Sequence, residues 1–257
     1  MTPKEARELK KQKLQNQKLQ PHKRISNNFI DATIRNNTVG ALKTIYYISA
    51  LIEKIEQFET IGDLNLLQLD IDTRDMLKFT ELALPDIKRN LKAMQGTSIT
   101  FVNEELEEEE GINLLPYYKF IYGKNRIEIQ IFKKIADLIV EVKQNYTMID
   151  TRALMRLKSK HTLKMLPLLM KISNYSSNVG KRKRMDLDDF NSFFGTSYKR
   201  LVEIERKILK PVQEELNLNS KLTFIYELNY AQIDLGRPKA DNITIDVIDN
   251  SGSLFAN

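Results

Sequence analysis

The sequence predicts an α+β fold, rich in helix, in which one order of elements occurs twice. Its 257 residues are 42% apolar, which is enough for a packed core, and include only 9 Gly and 7 Pro, which predicts few long loops. Apolar residues recur with a helical period in several stretches, and short alternating stretches that predict strands follow them. Both halves therefore run helix, short helix, helix, β-hairpin.

Local signals set the elements of the first half. Asp72 or Thr73 can cap a short helix, Pro85 favours the start of the next one, and Gly123-Lys124-Asn125 suits a hairpin turn. The predicted elements are a helix in residues 39–58, a strand in 66–71, two short helices in 72–96, a strand in 98–102, an acidic loop in 104–110 and a hairpin in 117–132.

The second half repeats this order. We predict a long helical region in 151–173, a short helix in 187–194, a longer helix in 196–216, and strands in 222–228 and 242–248 separated by a polar loop that contains Pro238. A short helix, a tight turn at Gly195 and a longer basic helix form a helix-turn-helix, and the hairpin after it makes a winged helix. The predicted domains are a basic tail (1–24), two winged-helix domains (25–147 and 148–250) and a C-terminal tail (251–257).

Charge is distributed unevenly along the chain. The net charge is +6 overall, but residues 151–213 carry 15 Lys or Arg against 5 Asp or Glu, and the tail 1–24 carries 8 against 2. The block EELEEEE (104–110) contains six acids. This separation favours a polyanionic partner for the second half, although a solvated charged surface remains an alternative.

The basic helix after Gly195 carries the main candidate site. On a helical wheel the charged residues Lys199, Glu203, Arg206 and Lys210 lie opposite the apolar residues Leu201, Ile204, Ile208 and Val212. Thr196 or Ser197 can cap the helix, and residues near the start of a second helix usually reach base edges. The candidates for contacts to DNA are Ser197, Tyr198, Lys199, Arg200 and Glu203 at this start, with Lys199, Arg200 and Glu203 as base readers, and Arg206, Lys207 and Lys210 as phosphate anchors. A surface helix with a Glu203–Lys207 ion pair is the simpler interpretation.

Three further groups are candidates for contacts to DNA. One lies near a predicted helix start, one is predicted to be a loop of four consecutive basic residues, and one occupies the equivalent helix of the first half. They comprise Ser159, Lys160, Thr162 and Lys164; then Lys181, Arg182, Lys183 and Arg184; then Lys88, Arg89 and Lys92.

Three stretches resemble a known family. They are ISNNFIDA (25–32), LMRLKSKHTLKMLPLLMK (154–171) and LDDFNSFFG followed by YKRLVEIERKILKPVQEELN (187–217). Together they are similar to the replication initiators of iteron-containing theta plasmids of the RepB/RepE type, over roughly Ile25 to Val247. The chain departs from the family's pattern at His161, where an aromatic residue is usual, and at Leu166-Pro167, where Pro167 is expected to kink or restart the helix.

The resemblance implies two winged-helix domains bound to one face of tandem DNA repeats, the iterons. It implies that the C-terminal recognition helix enters a major groove, and that the N-terminal domain adds DNA contacts and a dimer contact. It also implies that the protein helps to open the origin, that the host initiator and the replicative helicase are partners, and that dimers repress the initiator's own gene.

Other classes of function are weighed by what the sequence lacks. It has no phosphate-binding loop, no Cys and only two His, so neither a P-loop ATPase nor a metal-dependent nickase can be assembled. We therefore predict no enzymatic activity, no cofactor and no metal site. With no membrane-spanning run and no signal peptide, we expect a bacterial cytoplasmic protein. A dimeric winged-helix transcriptional regulator, and a DNA-free protein that binds an acidic partner, remain open.

Overall fold

The computed structural model describes residues 22–34, 38–52, 60–61, 65–103, 107–140, 146–175, 180–230 and 240–250. The predicted C-terminal tail and residues 1–21 of the predicted basic tail lie outside the described residues. Residues 22–24 belong to the first strand instead. Strand β9 (Tyr146–Asp150), which spans the predicted boundary between residues 147 and 148, pairs with that first strand.

The predicted helices and strands of the first half are present among the described residues, and residues 53–58 of the first predicted helix lie outside them. Asp72 caps the first short helix, because its carboxylate accepts the backbone N–H groups of Arg74 and Asp75 at 2.8 and 3.4 Å. Pro85 lies in the first turn of the second. The elements are β1 (His22–Ser26), α1 (Asn27–Asp31), β2 (Thr33–Ile34), α2 (Val39–Ile52), β3 (Thr60–Ile61), β4 (Leu66–Asp72), α3 (Thr73–Thr80), α4 (Leu84–Met94), β5 (Ser98–Asn103), β6 (Glu108–Asn113), β7 (Tyr117–Ile121), β8 (Arg126–Phe132) and α5 (Lys133–Val140).

Two antiparallel sheets organise the first half, in the orders β3-β4-β8-β7 and β2-β5-β6. The prediction of an acidic loop over 104–110 is wrong for Glu108–Glu110, which lie in β6 and pair with β5. Pairing continues because backbone hydrogen bonds do not depend on the exposed Glu side chains. Glu107, with φ of 54°, belongs to the turn before β6, and residues 104–106 lie outside the described residues.

Helix α2 packs closely against α4 at a glycine. A Cβ atom on Gly40 would lie 2.0 Å from the amide nitrogen of Asn90, which is buried. Thr38 donates its hydroxyl to the Asn90 side-chain oxygen at 3.3 Å. Glycine at this position therefore lets the two helices pack closely, so that α4 lies against the core.

The second half begins with β9 and two helices, α6 (Thr151–Arg156) and α7 (Lys160–Ser173). The single long helical region predicted for 151–173 is thus divided. The Asp150 carboxylate caps α6 and the Ser159 hydroxyl caps α7, so a new helix starts at Lys160. The helix does not restart at Pro167, since α7 continues through this residue to Ser173.

The remaining elements form the predicted winged helix. They are β10 (Arg182–Asp186), α8 (Leu187–Phe194), a longer helix that begins at Leu201, β11 (Leu222–Tyr230) and β12 (Ala240–Asp249). The three strands make an antiparallel sheet in the order β10-β12-β11. Most of the predicted polar loop between β11 and β12 lies outside the described residues.

The four consecutive basic residues do not form the predicted loop. Arg182, Lys183 and Arg184 lie in β10 and pair with β12, and Lys181 precedes the strand. Asp246 faces Arg182 at 2.8 Å and Asp241 lies 3.4 Å from Arg184, so carboxylates on the neighbouring strand offset the charge that would otherwise oppose a strand.

The two halves share one apolar core and several polar contacts. The Lys43 ammonium, on α2, donates to the carbonyl oxygen of Met155 at the end of α6. The Tyr46 hydroxyl, also on α2, donates to the Leu163 carbonyl oxygen on α7 at 3.2 Å. Burial raises the pKa of Tyr46 and lowers that of Lys43. Helices α2 and α7 therefore hold the halves against each other.

Candidate nucleic-acid interface

Helix α8 and the turn after it are fixed by local side-chain chemistry. Asp186 and Asp189 form a capping box at the helix start, each carboxylate accepting the other residue's backbone N–H. Gly195 ends the helix in the left-handed conformation, with φ of 64°, which a residue without a Cβ adopts at little cost. The chain therefore leaves α8 in one defined direction.

Asn191 on α8 holds this turn. Its side-chain oxygen accepts the Thr196 hydroxyl at 2.9 Å and the Tyr198 backbone N–H at 2.8 Å, and its amide donates to the Tyr198 carbonyl oxygen at 2.9 Å. Both backbone groups of Tyr198 are thereby used outside any helix. This explains why Ser197 and Tyr198 do not form the first turn of the following helix.

The following helix, α9, starts later than predicted. It is continuous in three parts, an α segment (Leu201–Ile204), a π turn (Glu205–Leu209) and an α segment (Lys210–Asn219). Arg200 is the N-cap residue in extended conformation, so Lys199 and Arg200 precede α9. The Lys199 N–H donates to the Glu203 carboxylate at 3.3 Å, which satisfies a donor at the helix start.

The π turn has a cause in the sequence. Pro211 has no N–H to donate to the carbonyl oxygen of Lys207, and its ring would crowd that oxygen in a regular α-helix. The wider turn accommodates the proline without a break. The apolar face is as predicted, because Leu201, Ile204, Ile208 and Val212 are buried, and the π turn adds Leu209 to it.

The outer face of α9 is basic but partly paired. Lys207 lies 3.8 Å from the Glu203 carboxylate and 4.9 Å from the centre of the Tyr198 ring, and Lys210 lies 3.1 Å from Glu205. Lys199, Arg200 and Arg206 are exposed, as is Ser197, whereas Tyr198 is half-buried. The predicted cations therefore lie at the surface, Lys199 and Arg200 in the turn before α9 and Arg206, Lys207 and Lys210 along the helix.

Glu203, which is a predicted base reader, contacts two neighbouring residues. One carboxylate oxygen accepts the Lys199 N–H and the other faces Lys207. Its side chain is 23% exposed. The Glu203–Lys207 ion pair of the simpler interpretation is present, and base reading by Glu203 stays a prediction.

Burial corrects the prediction for α7. Thr162 is fully buried and Lys164 is 5% exposed, so neither can contact a ligand in this conformation. The Lys164 ammonium donates to the carbonyl oxygens of Ala32 and Phe193 and lies 4.6 Å from the centre of the Phe193 ring. Burial lowers the pKa of Lys164 to about 7, against an opposing effect of Asp31.

Two other candidates on α7 are at its start. The Ser159 hydroxyl accepts the N–H groups of His161 and Thr162, and Lys160 is half-exposed. The His161 ring meets Phe194 edge-on at 5.4 Å. Burial, and to a lesser degree the charges of Lys160 and Lys164, lower the pKa of His161 to about 4. His161 therefore packs as a neutral aromatic ring.

The candidates on β10 and α4 remain at the surface. Arg182 and Arg184 are exposed beside Asp246 and Asp241, Lys181 is exposed, and Lys183 is half-buried. On α4, Arg89 and Lys92 are exposed, and Arg89 pairs with Asp86 at 2.6 Å. The Lys88 ammonium lies over two aromatic rings of the β7–β8 hairpin. Only a contact across elements reveals this last arrangement, and the sequence carries no local signal for it.

Membrane and metal sites do not occur among the described residues. None of the helices in the described ranges is long and apolar enough to cross a bilayer. Within the same ranges, no group of three His, Cys, Asp or Glu side chains is placed to hold a metal ion.

Comparisons with known proteins agree with this architecture. A family model described as "Initiator Replication protein, WH1" matches residues 24–170, and one described as "Initiator Rep protein, WH2" matches residues 186–246. No curated protein sequence matches significantly. Among 21 similar chains of solved structures is a crystal structure of the Pi initiator protein in complex with iteron DNA. It is 14% identical with a TM-score of 0.63, over 90% of this chain and 98% of that one, so it shows the same fold.

Proposed function

The chain belongs to the family of initiator replication proteins, and on that basis we propose that it initiates plasmid replication by binding tandem iterons in double-stranded origin DNA. One observation carries the proposal. An amphipathic helix, α9, buries its apolar face in its own domain, with exposed Lys199 and Arg200 in the turn before it and exposed Arg206 on its π turn. A solved structure of the same fold contains iteron DNA.

The proposed contacts follow from the geometry of a duplex. The start of α9 fits the major groove, where Arg200 and Lys199 reach guanine O6 and N7. Ser197 and Arg206 contact the flanking phosphates, with Lys207 and Lys210 as further cations and Tyr198 as the ring against which Lys207 packs. Glu203 orients Lys199 and Lys207 in this proposal, and reading of a cytosine by Glu203 stays a prediction.

Other basic residues enlarge the proposed surface. Lys160 and Ser159 at the start of α7, and Lys181, Arg182, Lys183 and Arg184 near β10, supply contacts to the sugar-phosphate backbone. Thr162 and Lys164 are left out because they are buried. Lys88, Arg89 and Lys92 on α4 are the proposed DNA contacts of the N-terminal winged helix.

The finer roles are also proposals, supported by the family. We propose that the protein is not an enzyme and acts in the bacterial cytoplasm. As a monomer it opens the origin and recruits the host initiator and the replicative helicase. A dimer formed through the N-terminal domain represses the protein's own gene.

A footprint on the DNA that flanks the gene tests the proposal. We expect several protected tandem repeats of about two helical turns each. A single inverted repeat would instead support a dimeric transcriptional regulator. Binding should weaken steeply with salt, because each phosphate contact releases counterions. A shallow salt slope, or no preference for duplex, would overturn the proposal and favour an acidic protein partner.

A further inference from the structure

One apolar side chain is exposed on the outer face of α9, close to the start of the helix. Val202 is the second residue of the helix and is 52% exposed. Leu201 and Ile204, its apolar neighbours in the same turn, are buried in the domain. Arg206, which follows Val202 by about one turn and shares its side of the helix, is exposed. The Val202 side chain therefore points away from the core and lies beside a cation.

Two glutamates flank Val202 on the surface of the helix, and each has a partner inside the protein. The Glu203 carboxylate lies 3.8 Å from the Lys207 ammonium. The Glu205 carboxylate accepts the hydroxyl of Tyr226, on β11, at 3.2 Å. Helical geometry places Val202 between the two glutamates. The exposed surface between these two paired carboxylates is therefore apolar.

The position of Val202 decides which part of a duplex it would meet. Arg200 is the N-cap residue, so Val202 lies in the first turn of α9, and this part of a recognition helix reaches base edges. A valine cannot hydrogen-bond to a phosphate, and packing it on a base donor or acceptor would leave that polar group without a partner. In the major groove, thymine is the one base of the four that presents a methyl group. A valine at this position therefore favours thymine.

We propose that Val202 is a specificity-determining residue, which packs its methyl groups against the C5 methyl group of a thymine in each repeat. The inference rests on the proposed function, because it requires the start of α9 to lie in the major groove. It goes beyond that function by assigning a second base. Lys199 and Arg200 account for guanine, and Val202 adds thymine to the sequence that the helix selects.

Deoxyuridine tests this contact directly, because it pairs as thymine does and lacks only the C5 methyl group. Each thymine of one repeat is replaced in turn in a duplex from the footprinted segment, and affinity is measured by competition fluorescence anisotropy. We expect at least one position at which the replacement weakens binding of the wild-type protein by about threefold to fivefold, the effect of leaving one methyl group unburied.

Three variants assign the effect to Val202. Val202→Ala should bind the natural duplex more weakly by about the same factor, and should no longer distinguish thymine from deoxyuridine at that position. Val202→Ile keeps the branched side chain and should keep the distinction. Leu218→Ala is the matched control, because Leu218 is 71% exposed on the same helix, about 24 Å further along it, and this variant should match the wild-type protein on both duplexes. The replaced side chains are exposed, so a thermal melt should show all three variants folded.

The outcomes separate this inference from the proposed function. If the wild-type protein binds duplex without a steep salt slope, the proposed function fails. If the slope is steep and Lys199→Ala with Arg200→Ala weakens binding, but no deoxyuridine affects the wild-type protein, only the inference is wrong. It is also wrong if Val202→Ala keeps the full effect of deoxyuridine, because another residue then contacts the methyl group. Equal losses of affinity in Val202→Ala and Leu218→Ala would overturn it as well.

Discussion

The Asn191 side chain makes two hydrogen bonds with the backbone of Tyr198: it accepts the N–H at 2.8 Å and donates to the carbonyl oxygen at 2.9 Å. Asn191 lies on α8 and Tyr198 lies in the turn before α9. The two hydrogen bonds therefore tie the short helix to the start of the proposed recognition helix. They also fix the backbone from which Lys199 and Arg200 continue towards α9.

Asn191→Ala should loosen this turn and weaken specific binding to DNA. Loss of these two hydrogen bonds leaves half-buried backbone groups of Tyr198 without partners, which lowers the free energy of unfolding by about 1–3 kcal/mol. Urea unfolding and anisotropy on the footprinted duplex measure the two effects.

Asn113→Ala is the matched control for the loss of the Asn191 hydrogen bonds. The Asn113 side chain also holds two backbone groups, the Leu115 N–H at 2.9 Å and the Gln95 carbonyl oxygen at 2.7 Å, but it lies in the N-terminal half. Both variants should be less stable than the wild-type protein, and only Asn191→Ala should have a weaker sequence preference. An equal weakening of preference in both would contradict the role given to Asn191.

Lys199→Ala combined with Arg200→Ala should reduce the preference for the repeat over a scrambled duplex, by about 1–3 kcal/mol for each base that is no longer read. Lys207→Ala should weaken both duplexes nearly alike, because a phosphate contact carries no sequence information. Competition anisotropy with the two duplexes gives both numbers. A uniform drop in affinity in both variants would show that the division into base readers and phosphate anchors is wrong.

The sequence was sufficient for the elements that depend on periodic apolar residues. The burial of Leu201, Ile204, Ile208 and Val212 follows from their spacing alone, as does the alternation of Ile127, Ile129 and Ile131 in β8. The Asp72 cap was equally predictable, because donor and acceptor are close in sequence. The predicted cap of the basic helix by Thr196 or Ser197 is wrong, because α9 starts after Arg200.

The sequence was not sufficient to predict features that depend on contacts between residues of different elements. The start of α9 depends on Asn191 reaching seven residues forward, and β10 forms because Asp246 and Asp241 lie across from a basic run. Lys164 has the pattern of a surface cation, but it lies where α1 and α8 converge. Pro211 follows the π turn, but Pro167 lies inside α7 without one, so a proline alone did not predict it.

His161→Phe should remove a dependence of stability on acid. Because the pKa of His161 is about 4 in the folded protein and near 6.5 when unfolded, the unfolded chain binds the extra proton between these values. Stability is present above about pH 6.5 and is lost as pH falls towards 4. Solvent screens a partly exposed ring, so we expect a loss of about 1–2 kcal/mol in the wild-type protein.

Urea unfolding between pH 4.5 and 7 compares the two proteins. The Phe ring keeps the edge-on contact with Phe194, so His161→Phe should be as stable as the wild-type protein near neutral pH. If the variant loses stability with acid as steeply as the wild-type protein, His161 is not the group that titrates.

Lys164→Met should flatten the dependence of stability on alkaline pH. The pKa of Lys164 is about 7 in the folded protein and near 10.4 when unfolded, so between these values only the unfolded chain holds the proton. The free energy of unfolding of the wild-type protein therefore rises with pH over this window, and it is level just below it, where both states are charged. Lys43, whose pKa is also lowered by burial, adds to the rise.

Unfolding by urea at several pH values from 6 to 10 measures the slope. Lys164→Met keeps the length of the side chain but cannot titrate, so its slope should be smaller than that of the wild-type protein. The double variant with Lys43→Met should be nearly level, because both described lysines whose pKa burial lowers are then gone. A slope that survives Lys164→Met unchanged would mean that the ammonium between Ala32 and Phe193 keeps its proton in both states. In that case its interactions with the two carbonyl oxygens and the Phe193 ring outweigh the cost of burying the charge.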